Sequence, residues 1–523
     1  MSIASFGFAC RSHFPPLRTP PFVYCVRKVR RRSVAAAETL LQPDTLIKQE
    51  EQSLVSGPAW KKLNAEDLGI TTTRISKPIR LVLNALRKKG YEVYLVGGCV
   101  RDLVLNRTPK DFDILTSAEL GQVVSTFTHS QCKIVGKRFP ICHVHVNHII
   151  VEVSSFSTIS RKKSSSSISN FVKRPPDCDG CDYRRWKNCL ARDFTINGLM
   201  LDPYAKIVYD YLGGMEDIRK AKVRTVIPAD KSFQEDCARI LRAIRIAARL
   251  GFNFSKETAS SIKELSCSVM RLDKGRLLME MNYMLAFGSA EASLRLLWKF
   301  GLLDILLPVQ AAYFVSQGFR RRDTKSNMLL SLFSSLDKLL APDRPCHDSL
   351  WVAILAFHKA ILDQPRNPLV VAAFTLSIYN GGDLMEAIKI ARSITQSHNP
   401  NFPELEIVEK EVNNRVLIDE VKNVAMSVQT TLSKMTDESF VSQAMAKYPK
   451  APYSDLVLIS LLSYWKACKI FDCVTSKEKV SIPKGRKVID FRKLVLGDVQ
   501  EVRQVFARVV FDTVYPVHLR NKT

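Results

Sequence analysis

The chain has 523 residues, of which 46% are hydrophobic and 24% charged. These proportions belong to a folded protein of several domains and exclude a wholly disordered, collagen-like or disulfide-stapled chain. Its formal net charge of +26 predicts attraction to a polyanion, either nucleic acid or an anionic membrane surface. The apolar runs Leu456–Trp465 and Leu369–Tyr379 fall far short of the ~18 to 20 residues a membrane helix requires. Thirteen scattered cysteines read as reduced, mostly buried thiols rather than a disulfide framework.

Residues 1–37 carry no acid and seven basic residues (Arg11, Arg18, Arg27, Lys28, Arg30, Arg31 and Arg32). An acid-free, Arg- and Ser-bearing leader has the composition of a transit peptide for a chloroplast or mitochondrion, with a basic nucleic-acid-binding arm as the other reading. Residues 38–77 are polar and weakly periodic, as a linker would be. Ile79, Val82, Leu83 and Leu86 then fall on one face of a helix that ends at Gly90. Tyr91–Val96 reads as a strand closed by Gly97-Gly98 and followed by a short helix, Cys99–Leu105. Asp111–Leu115 and Ile149–Phe156 are further strands, and Ser160–Asn188 reads as a basic loop inserted in the compact domain. Beyond about residue 230 helical periodicity dominates. The fold class is α+β: a small mixed-sheet head over 78–228, then a helical neck (229–275), body (276–400) and tail (401–523).

Asp111-Phe112-Asp113 places two carboxylates two residues apart, on one side of a strand, with Phe112 toward the core. Paired carboxylates repel unless a cation lies between them, and oxygen-only ligation suits Mg²⁺. Glu152 is a carboxylate in the otherwise apolar strand Ile149–Val153 and needs a partner there. Three acids on two strands fit two-metal phosphoryl transfer. Gly97-Gly98 at a strand-to-helix turn, with Arg101 one turn in, suits close approach of a phosphate. No G-x-x-x-x-G-K-[ST] occurs at this turn, which disfavours a P-loop ATPase. Cys178-x-x-Cys181, with Cys189 nearby, lacks the second pair a zinc site needs. His143 and His145 share a strand face and read as packed or surface residues.

These pieces together resemble a known family. Leu95-Val96-Gly97-Gly98-Cys99-Val100-Arg101-Asp102 followed by Asp111-Phe112-Asp113-Ile114 is similar to the signature of the class II nucleotidyltransferases, which hold the bacterial poly(A) polymerases and the tRNA CCA-adding enzymes. Arg192-Asp193-Phe194-Thr195-Ile196-Asn197-Gly198-Leu199 resembles their second motif. Glu235-Asp236-Cys237-Ala238-Arg239, running on to Phe252, resembles their nucleotide-selecting helix. The resemblance implies a polymerase beta-like head and an elongated helical remainder. It implies that Asp111 and Asp113 hold Mg²⁺, with Glu152 as the third catalytic carboxylate. Gly97, Gly98 and Arg101 would contact the nucleotide, and Arg192 and Asp193 would act near its sugar and phosphates. Asp236 and Arg239 would read the base without a template, and Arg242 and Arg245 would serve the triphosphate. Arg239, Arg242, Arg245 and Arg249 crowd one side of a helix at repelling spacings, which a polyanionic ligand lying across them would relieve. Cys237 stands where the family often has proline, Ala191 where it has a second arginine, and Gly198 where it has alanine. The segment Ile134–Val144 is similar to the bacterial poly(A) polymerases. The expected partners are therefore an RNA 3′ end and ATP, with CCA addition, or RNA binding without turnover, as the other readings.

Overall fold

The structure is a computed structural model. It describes residues 60–516 apart from 128–130, 137–139, 147–148, 161–177, 407–412, 445–458 and 477–487. The expected leader and most of the expected linker lie outside the described residues, as does much of the basic loop.

The head is built on eight strands: β1 (Lys61–Asn64), β2 (Val93–Val96), β3 (Asp113–Thr116), β4 (Cys132–Val135), β5 (Ile141–Val146), β6 (Ile149–Ser155), β7 (Leu199–Asp202) and β8 (Ile207–Asp210). Their order is β1-β8-β7-β2-β3-β6-β5-β4; β3 and β6 run parallel, while the other neighbours are antiparallel. Val93, Leu95, Ile114, Val151 and Val153 face one core, against which α1 (Lys77–Lys88) buries the expected Ile79, Val82, Leu83 and Leu86. Tyr94, Val96, Leu115 and Met200 face a second core. A carboxylate at the end of a central strand therefore has packed layers on both sides, which fixes its position.

Two boundaries differ from expectation. β1 lies inside the supposed linker, pairing with β8 from Lys61↔Asp210 to Asn64↔Ile207, and Trp60 meets Tyr211 edge-on at 4.8 Å. Its pattern, Lys-Lys-Leu-Asn, is too polar and short to announce a strand; the edge position explains why it tolerates that polarity. The supposed loop up to Asn188 ends in a helix, α3 (Gly180–Leu190), with the Asp179 carboxylate accepting from the Asp182 amide at its start. Arg185 is locked in its interior by Asp182 (2.8 Å), Tyr211 (2.9 Å) and Tyr94 (2.9 Å), so basic residues that read as solvated are in part structural.

After the head the described chain is almost entirely helical. α4 (Ala229–Glu235) and α5 (Ala238–Leu250) form the junction, followed by α6 (Lys256–Glu264), α7 (Lys274–Leu285) and α8 (Ala290–Lys299). The expected split between body and tail at residue 400 does not divide the core. Phe357 and Phe374 stack on each other at 5.9 Å, and Phe374 stacks on Phe471 of the tail at 6.2 Å. Among the described residues no helix is long and apolar enough to cross a membrane. All eleven described cysteines are free thiols, seven of them buried.

Candidate active site

The sheet register assembles the site. Asp113 opens β3 and stands opposite Val96 of β2 and Glu152 of β6. Glu152 in turn stands opposite His143 of β5, and His143 opposite Lys133 of β4. Residues directly opposite across a ladder share a face, so Asp113, Glu152, His143 and Lys133 form one row across four strands. His143 Nε2 lies 3.7 Å from Glu152 Oε1, which brings a residue read as surface packing to the edge of the carboxylates. Asp111 is not on the strand, contrary to the expected strand Asp111–Leu115. It lies in the irregular stretch before β3, exposed, with Lys110 Nζ at 3.7 Å. Phe112 does pack against the core.

Burial and neighbouring acids raise the pKa of Glu152 and of Asp113. Burial, then the charges of Asp113 and Asp111, push Glu152 up to about 7 against a weak pull from Lys110, although half of its side chain is exposed. Burial also raises Asp113; Arg192 works against that shift and Asp111 adds to it. Lys110 spans the rings of Tyr283 (4.5 Å) and Phe287 (4.7 Å), and burial there lowers its pKa despite Asp111. Lys110 and Tyr283 were not legible as site residues, because helix α7, which carries Tyr283, is brought to the D-x-D stretch only by the tertiary fold. The donor chemistry of the three carboxylates fits Mg²⁺, a cation that takes oxygen ligands and keeps water and phosphate in its shell. Among the described residues no three His, Cys, Asp or Glu side chains are gathered into a metal cage, and this holds for Cys178, Cys181 and Cys189 too.

The glycine turn holds the other side. Gly97 has φ +81°, and a Cβ there would lie 3.2 Å from Arg192 Nη1 and 3.4 Å from Asp113 Oδ2. Only glycine combines that backbone with that approach. Gly98 starts α2 (Gly98–Val104), where a Cβ would come within 3.4 Å of Arg101. Arg101 itself does not present a free fork. It is buried, with Nε and Nη2 on Asp102 Oδ1 (2.9 and 2.7 Å) and Nη1 on Asn197 Oδ1 (2.6 Å). An adjacent acid in a buried turn is a nearer partner than any phosphate. Arg192, by contrast, is half-buried beside Asp113 and makes no ion pair among the described residues. Gly198 also has a local reason: a Cβ there would lie 2.6 Å from Leu212 Cδ1, so leucine fills the space an alanine would need.

The arginine helix corrects the expectation most. Each guanidinium on α5 has its own acid, drawn from a different element. Arg239 Nη1 bonds Glu235 Oε2 (2.8 Å) and Ser232 Oγ (3.0 Å) of α4. Arg242 Nη1 bonds Asp193 Oδ2 (2.9 Å). Arg245 Nε lies 3.1 Å from Glu280 Oε2 of α7, and Arg249 Nη2 lies 3.2 Å from Asp102 Oδ2 of α2. The repulsion along the helix is relieved inside the protein, without a ligand. Burial works against ionisation of Asp193, but Arg242, Asn197 and the Phe194 amide outweigh it and hold the carboxyl below its usual range. Glu280 is fully buried between Arg245 and Arg276. Asp236 is not within the helix either. It sits in the break between α4 and α5, accepting from the Ala238 amide at 3.0 Å, so Asp236 and Arg239 flank a kink and do not pair with each other.

Residues 93–224 match the family model described as the poly A polymerase head domain, and residues 251–314 match that described as the probable RNA and SrmB-binding site of polymerase A. The two matched segments are thus similar to the head and RNA-binding domains of poly(A) polymerases, and the relatives of the chain are poly(A) polymerase I and CCA-adding enzymes. Poly(A) polymerase I of Escherichia coli O157:H7 is 34% identical over 274 residues, which cover 51% of this chain and 58% of that protein. The CCA-adding enzyme of Geobacillus stearothermophilus is 33% identical over 231 residues, covering 42% and 52% respectively. The chain thus spans a little over half the length of these curated relatives. Among solved structures, that of the Bacillus stearothermophilus CCA-adding enzyme in complex with CTP aligns at a TM-score of 0.41 and 21% identity, over 76% of this chain and 93% of that one.

Proposed function

We propose that this protein is a template-independent RNA nucleotidyltransferase that adds AMP from ATP to RNA 3′ ends. The observation that carries the reading is the row of crowded carboxylates: Asp113 and Glu152 in register on parallel strands, with Asp111 two residues upstream. A purely structural sheet gains nothing from placing Asp113 and Glu152 side by side, whereas a site that receives Mg²⁺ and a triphosphate does. Asp111 and Asp113 would hold Mg²⁺, with Glu152 as the third carboxylate beside them; the ion when bound would supply charge neutralisation at the phosphates and activation of the attacking hydroxyl. Arg192, beside Asp113 and without an ion pair among the described residues, binds the sugar or phosphates of the nucleotide. Gly97 and Gly98 let the backbone approach it, while Arg101, Asp193, Arg242 and Arg245 keep the turn, the second motif and α5 in fixed relation. Asp236 and Arg239, flanking the α4–α5 kink, read the base; the Arg239 plane is already set by Glu235 and Ser232.

The longer match to poly(A) polymerase I supports adenylate addition. The similarity to CCA-adding enzymes supports a second reading, addition of CCA to tRNA-like ends. Incubation of the protein with labelled RNA, Mg²⁺ and each nucleoside triphosphate separately decides between them. ATP alone should extend a generic RNA by many residues. A requirement for CTP first, with arrest after three additions on tRNA-like ends only, would establish CCA addition instead. The acid-free leader supports import into a chloroplast or mitochondrion; a reporter fused to residues 1–40 that stays diffuse in the cytosol would refute that part.

A further inference from the structure

A second concave site lies past the end of α5. Phe252 and Phe254, both partly exposed, form one wall of a cavity of about 440 Å³, and Lys263 of α6, Lys299 of α8 and Arg322 line it. Among the described residues no carboxylate lines it, and those three cations make no ion pair. This is the reverse of α5, where each arginine has its acid. The wall is held in place: Phe254 packs edge-to-face on buried Phe300 at 5.2 Å. The loop that carries Arg322 is pinned by its neighbour, since Arg321 stacks over Trp298 at 3.7 Å and bonds Asp304 at 2.7 Å. Aromatic faces beside unpaired cations, in a groove without acids, match a nucleotide's base and phosphate.

Position defines which nucleotide. Arg242, beside Asp193, lies nine residues before Gly251, and at 1.5 Å per helical residue the cavity is about 14 Å further along α5. With the RNA 3′ end placed beside Arg192 and Asp193 by the proposed function, a strand at 3.4 Å or more per nucleotide covers that distance in roughly four nucleotides. We propose that this pocket is an upstream strand subsite: it stacks a base against Phe252 and Phe254 and holds adjacent phosphates with Lys263, Lys299 and Arg322, about four nucleotides back from the RNA 3′ end. The proposal rests on the nucleotidyltransferase reading for its orientation, and it adds the location and chemistry of a site remote from the carboxylates.

The test is equilibrium binding of 5′-fluorescein oligo(A) to the full chain, read by anisotropy over a salt series, with trinucleotide and dodecanucleotide strands. Lys263→Glu and Arg322→Glu, on exposed side chains, should leave the thermal midpoint unchanged and weaken dodecanucleotide binding at least fivefold each. The log–log salt slope should flatten by about 0.7 for each phosphate contact removed. The trinucleotide, too short to reach, should be unaffected. Phe254→Leu keeps apolar volume and loses the ring face, so it should weaken oligo(A) more than an abasic strand of equal length. Dodecanucleotide affinity within twofold of the wild type in both charge reversals would overturn the subsite, and so would equal weakening of both strand lengths. Displacement of the dodecanucleotide from this pocket by ATP would make it a free-nucleotide site and also overturn the proposal. Nucleotide addition is assayed separately. Pocket-dependent binding by a chain that adds no nucleotide would refute the proposed activity and leave the subsite standing.

Discussion

Charge is handled in opposite ways in the head and in the neck helix. In the head, Asp111, Asp113 and Glu152 lie close together. Lys110 stands off Asp111 at 3.7 Å, and the His143 ring, whose pKa burial lowers, stands off Glu152 at 3.7 Å. Arg192 lies beside Asp113 without an ion pair among the described residues. On α5, Arg239, Arg242, Arg245 and Arg249 are equally crowded by sequence, yet each reaches an acid at 2.8 to 3.2 Å. Two of those acids, Asp102 and Asp193, belong to the head, so the helix is fastened to the head by buried pairs. Compensated charge marks a joint and uncompensated charge marks a place where an external ion or phosphate is expected. The same distinction singles out Arg192 in the head and the cationic cavity beyond α5.

The largest effect that separates the two regions is on turnover. Asp113→Asn should reduce nucleotide addition on the order of a thousandfold or more, because it removes a carboxylate from the point where charge must be neutralised in the transition state. It should leave the unfolding midpoint unchanged or higher, since it also removes repulsion with Glu152. A variant that kept wild-type rates at saturating Mg²⁺ would end the carboxylate assignment. Arg242→Ala should do the opposite in kind. It strands the buried Asp193 carboxylate, at a cost of about 3 kcal/mol in urea unfolding, and Asp193→Asn in the same chain should restore part of the loss. A fully stable Arg242→Ala variant would show that α5 is not fastened in this way.

Much of this contrast was legible in the sequence, and its sign was not. The strand, the glycine turn, α1 and the three acids follow from periodicity and residue type, because those signals are local. The partners of the arginines are not local: Arg249 pairs with Asp102 across 147 residues and Arg242 with Asp193 across 49. A run of like charges on one helix face looks the same in sequence whether a ligand or the fold neutralises it. β1 escaped for a related reason, since an edge strand needs few apolar residues. The buried network of Arg185 was hidden because Asp182 is near in sequence, while Tyr94 and Tyr211 are brought to it only by the sheet.

A moderate effect concerns base choice, where both regions meet. Arg239→Ala frees Glu235 and removes one side of the α4–α5 kink. It should reduce the preference for ATP over CTP by roughly tenfold, the worth of one buried donor left unmade, while RNA affinity changes less than twofold. Equal losses with both nucleotides would assign Arg239 to the joint alone.

The smallest effect is in the pH dependence of stability. Glu152 is raised from 4.5 to about 7, by burial first and then by Asp113 and Asp111. Below pH 4.5 the group is protonated folded and unfolded, and it costs nothing. As pH rises from 4.5 toward 7 the unfolded chain releases its proton before the folded one does, so stability falls through that window and the cost is complete above it. Half of the side chain is exposed, so solvent screening keeps the effect small, about 1 °C in the thermal midpoint. Glu152→Gln should therefore match the wild type at pH 4.5 and exceed it slightly at pH 8. Mg²⁺, by favouring the charged carboxylates, should raise the wild-type midpoint more at pH 8 than at pH 5 and should act less on the glutamine variant. A Mg²⁺ shift independent of pH and of Glu152 would place the ion elsewhere and leave the carboxylate row with no cation to explain it.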